Sequence, residues 1–441
     1  MHTKNNGRLG LAGLVGLSAG SSIASGVFVF SGDFAAAGAG TAAVLAGWLI
    51  AGAGMLAIVM CFFGLGRDNL QLQGGIYSYA QKGLGSCAAF YTIWSYWLAA
   101  LFGNLSFLSL LAVSVSYFLD IQNSIILLAG QSILIWSAAA VLLRGTERAA
   151  RVNLIVAAAK LLPLIAFASS VVFFGAFDLN TFTDNFWGQD TGYSLPEQIK
   201  ATTGIALWAF VGIEGAVAVS ARARRPKDVG KALVLSFLCV LSIYVIVSGL
   251  CMGVMTRQQL ASLGNPPLAY VFAKVVGKPG AVIVNAGIIL ALGGAYLGYN
   301  LLAAEAMAAA SKQGAFTELL GKANKNGSPA AAILLTCCAI QIFTIVFTLT
   351  GADYQSIYVL AARLSAPVYF AIALCCLRIC LTGQRRSPAQ YAAAIVGTAY
   401  GLYMMYCMGI GEIFAMVLFF VPGTVIYICT KKEKNQRLKN H

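Results

Sequence analysis

Apolar runs about as long as a bilayer is thick recur along this chain with scarcely a charge inside them. A helix needs about 20 apolar residues to cross the hydrocarbon layer. There the backbone must satisfy its own hydrogen bonds, which leaves helices as the natural spanning form for such runs. Twelve runs qualify, at residues 9–36, 41–65, 86–119, 124–143, 152–174, 198–221, 231–255, 280–311, 329–349, 354–380, 389–408 and 411–429. The expected fold class is an all-α polytopic membrane protein of twelve transmembrane helices. Hydrophobic residues make up 59% of the chain and charged residues 10%, against about 25% charged in ordinary globular proteins. A soluble enzyme and a disordered chain are both excluded. The first run is too long and too glycine-rich for a cleavable leader.

The excess of 29 Lys+Arg over 15 Asp+Glu falls in short clusters between the runs, not on one face as nucleic-acid binding requires. With the N-terminus inside, 23 basic residues lie on the cytoplasmic side and 4 on the outer side. That bias predicts two cytoplasmic termini in a prokaryotic-type inner membrane. The longest outer loop, 175–197, is acidic, with Asp178, Asp184, Asp190 and Glu197. The 11 cysteines sit almost wholly inside apolar runs and form no C-x-x-C pair, so they read as small buried hydrophobes. The only histidines are His2 and His441. No metal site, histidine triad, cofactor or nucleic-acid partner is expected; the bilayer is the one certain partner, and a homodimer is left open.

Two runs carry helix-weakening segments, G-S-S-I-A-S-G at 20–26 and W-A-F-V-G-I-E-G at 208–215. Small residues at such points can serve close helix packing, or allow unwinding where the backbone lines a cavity. Occurring as a pair in the first and sixth spans, they fit two inverted five-helix repeats with a ligand site at the breaks. Spans eleven and twelve then fall outside the repeat. The chain would be one transporter domain: 9–174 and 198–380 as the repeats, 389–429 as accessory helices and 430–441 as a basic tail. N–H groups of Ser25, Gly26 and Val27 at a half-helix start suit a carboxylate. Carbonyls around Ala209 and Phe210 suit an ammonium. The two together suit an amino acid.

The motifs extend this reading. S-G-V-F at 25–28 resembles the break of the amino acid–polyamine–organocation superfamily. G-G-I-Y-S-Y-A-Q-K-G at 74–83, Y-W-L-A-A-L-F-G-N at 96–104, W-A-F-V-G-I-E-G-A at 208–216, S-A-R-A-R-R-P-K-D-V-G-K-A at 220–232 and S-K-Q-G with N-G-S-P inside 311–329 resemble its basic amino acid/polyamine antiporters. The likeness is strongest to the arginine–ornithine and arginine–agmatine exchangers. It implies a LeuT-like core with helices 1 and 6 broken. Ile23, Ala24, Ser25 and Gly26 would hold an α-carboxylate, with Ala209, Phe210 and Gly212 at the second break. Asn104 would hydrogen-bond a guanidinium or amine and steady the bent sixth helix. Tyr96 would floor the site, and Trp208 would face the substrate cation at about 1–2 kcal/mol when desolvated. Tyr299 falls where arginine-carrying relatives have tryptophan, and Val29-Phe30-Ser31 where many have a proline.

Charges inside spans cost about 2.5–3.5 kcal/mol at a helix centre and need a reason. Glu214 matches a coupling carboxylate in the relatives. Lys160 stands where sodium-coupled relatives hold their ion, which predicts transport without sodium. Arg363 is divided evenly between a structural pair and a substrate contact. Glu305 is expected to reach interfacial water. The leading reading is exchange of a basic amino acid for a related amino acid or amine, with a proton-coupled symporter as alternative. A polytopic membrane enzyme lacks a nucleophile–base pair or paired aspartates at membrane depth, and no G-x-x-x-x-G-K-[ST] loop supplies ATP drive.

Overall fold

Local capping signals set where the helices begin. Asn123 Oδ1 accepts from the N–H groups of Ile125 (2.8 Å) and Ile126 (3.4 Å), Asp178 does the same for Asn180 and Thr181, and Asp353 Oδ1 accepts from Ser356 N–H at 3.0 Å. Ser194 with Glu197, and Thr256 with Gln259, form reciprocal capping boxes. Each satisfies donors that a helix start leaves without an internal partner.

The computed structural model describes residues 10, 11, 15, 19, 23, 25–68, 75–212, 226–382 and 387–439. Regular structure among them is entirely helical. In chain order the helices are α1 (Phe30–Ala36), α2 (Thr41–Asp68), α3 (Gly75–Leu84), α4 (Ser86–Leu119), α5 (Ser124–Leu143) and α6 (Thr146–Phe173). Then come α7 (Leu179–Asp184), α8 (Leu195–Ala206), α9 (Pro226–Val254), α10 (Arg257–Ala261), α11 (Pro267–Val276) and α12 (Lys278–Lys312). The last are α13 (Glu318–Gly321), α14 (Ala330–Thr350), α15 (Tyr354–Leu381), α16 (Pro388–Met408) and α17 (Ile410–Lys439).

Eight helices among the described residues are long and apolar enough to cross a bilayer: α2, α4, α5, α9, α12, α14, α15 and α17. The chain is an all-α polytopic membrane protein. The four other expected spans differ for separate reasons. Residues 9–36 and 198–221 lie partly outside the described residues. The apolar part of α6, Lys160–Phe173, is short. Helix α16 is 21 residues long, but Tyr391, Tyr400, Tyr403 and Tyr406 dilute its apolar character.

Contacts divide the chain into two compact units. The first comprises Met1–Val59, Val113–Asp120 and Arg151–Ala295. Within it α1 is surrounded by α8, α9, α10 and α11. Helix α6 carries Pro163 in its interior, and a Cβ on Gly287 of α12 would collide with that proline ring. Glycine is the residue that lets the two segments approach so closely. The second unit comprises Met60–Ala112, Ile121–Ala150 and Tyr296–His441, with α15 packed on α16 and α3, and α14 on α5.

Candidate substrate site

Both weakened segments depart from α-helical geometry. At the first, Ser25 precedes a 3₁₀ turn, Gly26–Phe28, in which the Phe28 N–H donates to Ser25 O at 3.1 Å and the Val29 N–H to Gly26 O at 3.0 Å. Val29 (φ −123°, ψ −28°) interrupts the helix before α1 resumes. The Phe30 ring occupies the space a Cβ on Gly26 would need, so a side chain there would drive ring and turn apart. At the second, α8 tightens into a 3₁₀ turn, Leu207–Phe210, and Val211 becomes extended at ψ 127°. Gly212 follows at φ +98°, in the region where glycine carries no Cβ penalty.

The two breaks are joined. Trp208 Nε1 donates to Ser25 Oγ at 3.3 Å, and both side chains are buried. Trp208, expected as an aromatic face for a cation, is thus also a tie between the segments. Behind it stands an aromatic cluster in the same unit. Trp48 stacks on Tyr244 at 5.2 Å and 15°, meets Phe30, Phe34 and Phe210 at 5.6–6.1 Å, and donates to Ser248 Oγ at 3.3 Å. Phe210 stacks on Phe237 at 5.2 Å. Aromatic pairs of this kind hold geometry with about 0.5–1.5 kcal/mol beyond their burial.

Lys160 of α6 is 1% exposed. Pro163 lies one turn further on, and a proline leaves the carbonyl four residues before it without its helical donor. A second buried charge in this unit, Asp33 of α1, is 6% exposed and was not singled out from the sequence. Its signal was the spacing: seven residues beyond Gly26, on the segment that leaves the first break. Ile23 is buried. Ala24 and Glu214 lie outside the described residues.

At the end of α1 a polar clamp assembles. Arg257 grips Asp190 as a fork, Nε to Oδ1 at 3.1 Å and Nη2 to Oδ2 at 2.5 Å, while its Nη1 donates to Ala35 O at 3.0 Å. Asn185 Oδ1 accepts from the Arg257 N–H at 2.7 Å. The guanidinium fork and a bond from Gln258 hold the Asp190 carboxyl below its ordinary value. Gln198 of α8 accepts from the Gly40 N–H through Oε1 at 2.9 Å and donates Nε2 to Tyr193 O of the loop at 3.0 Å. The acidic loop is thereby tied to α1, α8 and α10.

The second unit holds other expected residues. Asn104, fully buried, donates Nδ2 to Ala100 O at 2.9 Å on its own helix. One of its amide donations is thus made within α4; the sixth span beyond Gly212 lies outside the described residues. The Asn104 Oδ1 has no partner among the described residues and can accept from a cationic donor. Tyr96 is buried, and Tyr299 meets Phe107 edge-on at 5.3 Å. Arg363 pairs with Glu412, Nη1 to Oε2 at 2.6 Å. Of the two readings of Arg363, the pair is the one with an observed partner; that carboxylate begins α17, and no spacing in the sequence points to it. Glu305 is exposed on α12. Among the described residues no group of three His, Cys, Asp or Glu side chains is placed to hold a metal ion.

Comparison with known proteins places this arrangement. A family model described as amino acid permease matches residues 9–432. The chain is 35% identical to a putative arginine/ornithine antiporter of Escherichia coli (strain K12), over 96% of this chain and 92% of that protein. It is 35% identical to an arginine/ornithine antiporter of Pseudomonas aeruginosa, over 99% and 93%. It is 32% identical to an arginine/agmatine antiporter of Chlamydia pneumoniae, again over 99% and 93%. With two helix breaks tied side chain to side chain and a match along nearly its whole length, the chain belongs to the amino acid permease family and is a transporter, not an enzyme.

Proposed function

We propose that this protein exchanges a cationic amino acid of the arginine or ornithine type for a related amino acid or amine across a prokaryotic cytoplasmic membrane, by alternating access. The observation that carries the reading is the Trp208–Ser25 bond joining two helix breaks in one unit. Such breaks expose N–H groups toward a carboxylate and carbonyls toward an ammonium, the two groups every amino acid presents. The names of the relatives supply the substrate class. Twelve spans, two inverted five-helix repeats and two cytoplasmic termini complete the proposed architecture; the charge bias of the loops supports the orientation. A tail variant, Asn440→Cys, should resist impermeant labelling in intact cells, and ready labelling would reverse the topology.

Obligatory exchange follows from the energetics of an empty site. Buried polar groups without partners cost about 1–3 kcal/mol each, so a carrier that must reorient unfilled meets a higher barrier than one whose broken-helix groups are satisfied. The test is uptake of labelled arginine or ornithine into empty vesicles and into vesicles preloaded with arginine, ornithine, agmatine, lysine or a neutral amino acid. Preloading should accelerate uptake by orders of magnitude. Equal uptake in both would mean a uniporter or a proton symporter. If Trp208→Leu leaves affinity unaltered, the cation–aromatic contact must be dropped.

A further inference from the structure

The second unit carries a motif that transport leaves unused, the N-G-S-P segment at 326–329 between α13 and α14. Together with Asn324 it closes the end of α5. Ser328 Oγ donates to Leu142 O at 2.7 Å, and the Nδ2 groups of Asn324 and Asn326 both donate to Leu143 O at 2.9 Å. A helix C-terminus ordinarily presents bare carbonyls and a partial negative charge, which repel an anion. Here the carbonyls of the last two α5 residues are covered, and the charged residues that follow or flank them, Arg144, Lys322 and Lys325, are basic and exposed. The salt bridges among the described residues, Arg257–Asp190 and Arg363–Glu412, involve none of the three. Glu318, at the start of α13, is the acidic residue of segment 312–329 and leaves the cluster a positive excess.

The outer faces of α5 and α14 run up to this cluster. Both helices are of membrane length, and they pack on each other. Along α5 the exposed positions Trp136, Ala140 and Arg144 recur every four residues, which makes one helical stripe, apolar until its last member. On α14 the corresponding exposed face begins at Leu334 and Leu335, 40% and 41% exposed. Apolar faces of this kind meet acyl chains, and a group of cations where they end sits at headgroup depth.

We propose that the end of α5 and the α13–α14 loop form a headgroup site for an anionic phospholipid, with the phosphate at Arg144, Lys322 and Lys325 and the acyl chains along the exposed faces of α5 and α14. A guanidinium can pair with two phosphate oxygens at once, and the lysines act beside it as point charges. Each basic group at a membrane surface contributes about fivefold in affinity for anionic lipid.

The probe is Trp136, about 12 Å before Arg144 along α5. The full chain is placed in phosphatidylcholine vesicles, into which brominated phosphatidylglycerol or brominated phosphatidylcholine is titrated. Quenching of Trp136 is the difference between wild type and Trp136→Phe. Brominated phosphatidylglycerol should reach half-maximal quenching at a mole fraction about tenfold below that of brominated phosphatidylcholine. Arg144→Gln, Lys322→Gln and Lys325→Gln combined should bring the two lipids within about twofold of each other. Arg144→Lys, Lys322→Arg and Lys325→Arg combined should keep the preference. So should Arg378→Gln with Lys431→Gln, which removes two exposed charges from α15 and α17 of the same unit.

Equal quenching of wild type by the two lipids, or an undiminished preference in the neutral triple variant, would overturn the proposal. An equal loss in the α15–α17 variant would also overturn it, by showing a general surface field in place of a site. Displacement of phosphatidylglycerol by inorganic phosphate at matched ionic strength would mark a free-anion site and overturn it as well. If the triple variant does not insert, wild type decides: at about 1 M salt, where the Debye length is about 3 Å, the preference should vanish, and a preference indifferent to salt overturns the proposal.

Discussion

Lys160 and Arg363 look alike in the sequence, each a lone cation in an apolar run, yet the structure gives them different surroundings. Lys160 is 1% exposed on α6, one turn before Pro163. The Arg363 side chain is 29% exposed and lies 2.6 Å from the Glu412 carboxylate, itself 48% exposed. A guanidinium matched to a half-exposed carboxylate is neutralised at little desolvation cost, and such pairs contribute roughly 0–1 kcal/mol. An ammonium shut away from solvent carries a large desolvation cost, which a fold retains only for a purpose. Depth in a span therefore says that a charge needs an explanation; its partner and its exposure say which one.

The largest effect should come from the buried cation. Lys160→Ala is expected to lower exchange at least a hundredfold in vesicles with normal protein content, while replacing sodium by choline leaves the wild type unchanged. A strong sodium requirement, or a variant retaining a third of its activity, would place Lys160 in the same class as Arg363. The tie between the breaks should come next. Ser25→Ala and Trp208→Phe each remove one hydrogen bond worth about 0.5–1.5 kcal/mol, so each should shift the KM for arginine two- to tenfold. The double variant should be little worse than either single. Full additivity would mean that the two side chains act separately.

Smaller still is the paired cation. Arg363→Gln and Glu412→Gln should each cost under about 1 kcal/mol, leave transport within twofold, and show less effect as salt rises. A tenfold loss from either would return Arg363 to the substrate path. The smallest effect belongs to the other arginine pair, Arg257–Asp190, whose side chains are 13% and 41% exposed. The Arg257 fork, then the bond from Gln258, lowers the Asp190 pKa from its ordinary 3.8. Its stabilisation is thus complete above that value and is lost as pH falls through the lower folded value. After discounting for solvent, the expected change is a fraction of about 1 kcal/mol. Thermal melts of Asp190→Asn against wild type should differ near neutrality and converge in strong acid. A difference that grew on acidification would show the sign to be wrong.

Much of the candidate site could be read before any coordinates. Ser25 and Gly26 at the first 3₁₀ turn, and Gly212 with its φ of +98°, mark the places where helices lapse, because local backbone preference is written in local residues. Ser25 and Trp208 were expected in the site. Their direct bond across 183 positions was not, since no spacing rule connects two different spans. Asn104 was expected to meet the ligand and the sixth helix; its Nδ2 donates four residues back on its own helix while its Oδ1 keeps no partner among the described residues. Buried amides choose partners by proximity in space, and one turn of the same helix is always near. Asp33 was missed because its weight comes from burial, which four packed helices impose.

Hydrophobic run length and small-residue breaks were thus sufficient to determine an all-α membrane protein with interrupted helices: bilayer thickness and backbone freedom act on residues adjacent in the chain. Which break touches which, which arginine has a carboxylate and which charge loses its water were decided only by tertiary packing. Those outcomes depend on distances between residues far apart in sequence, and on desolvation that no short segment produces alone.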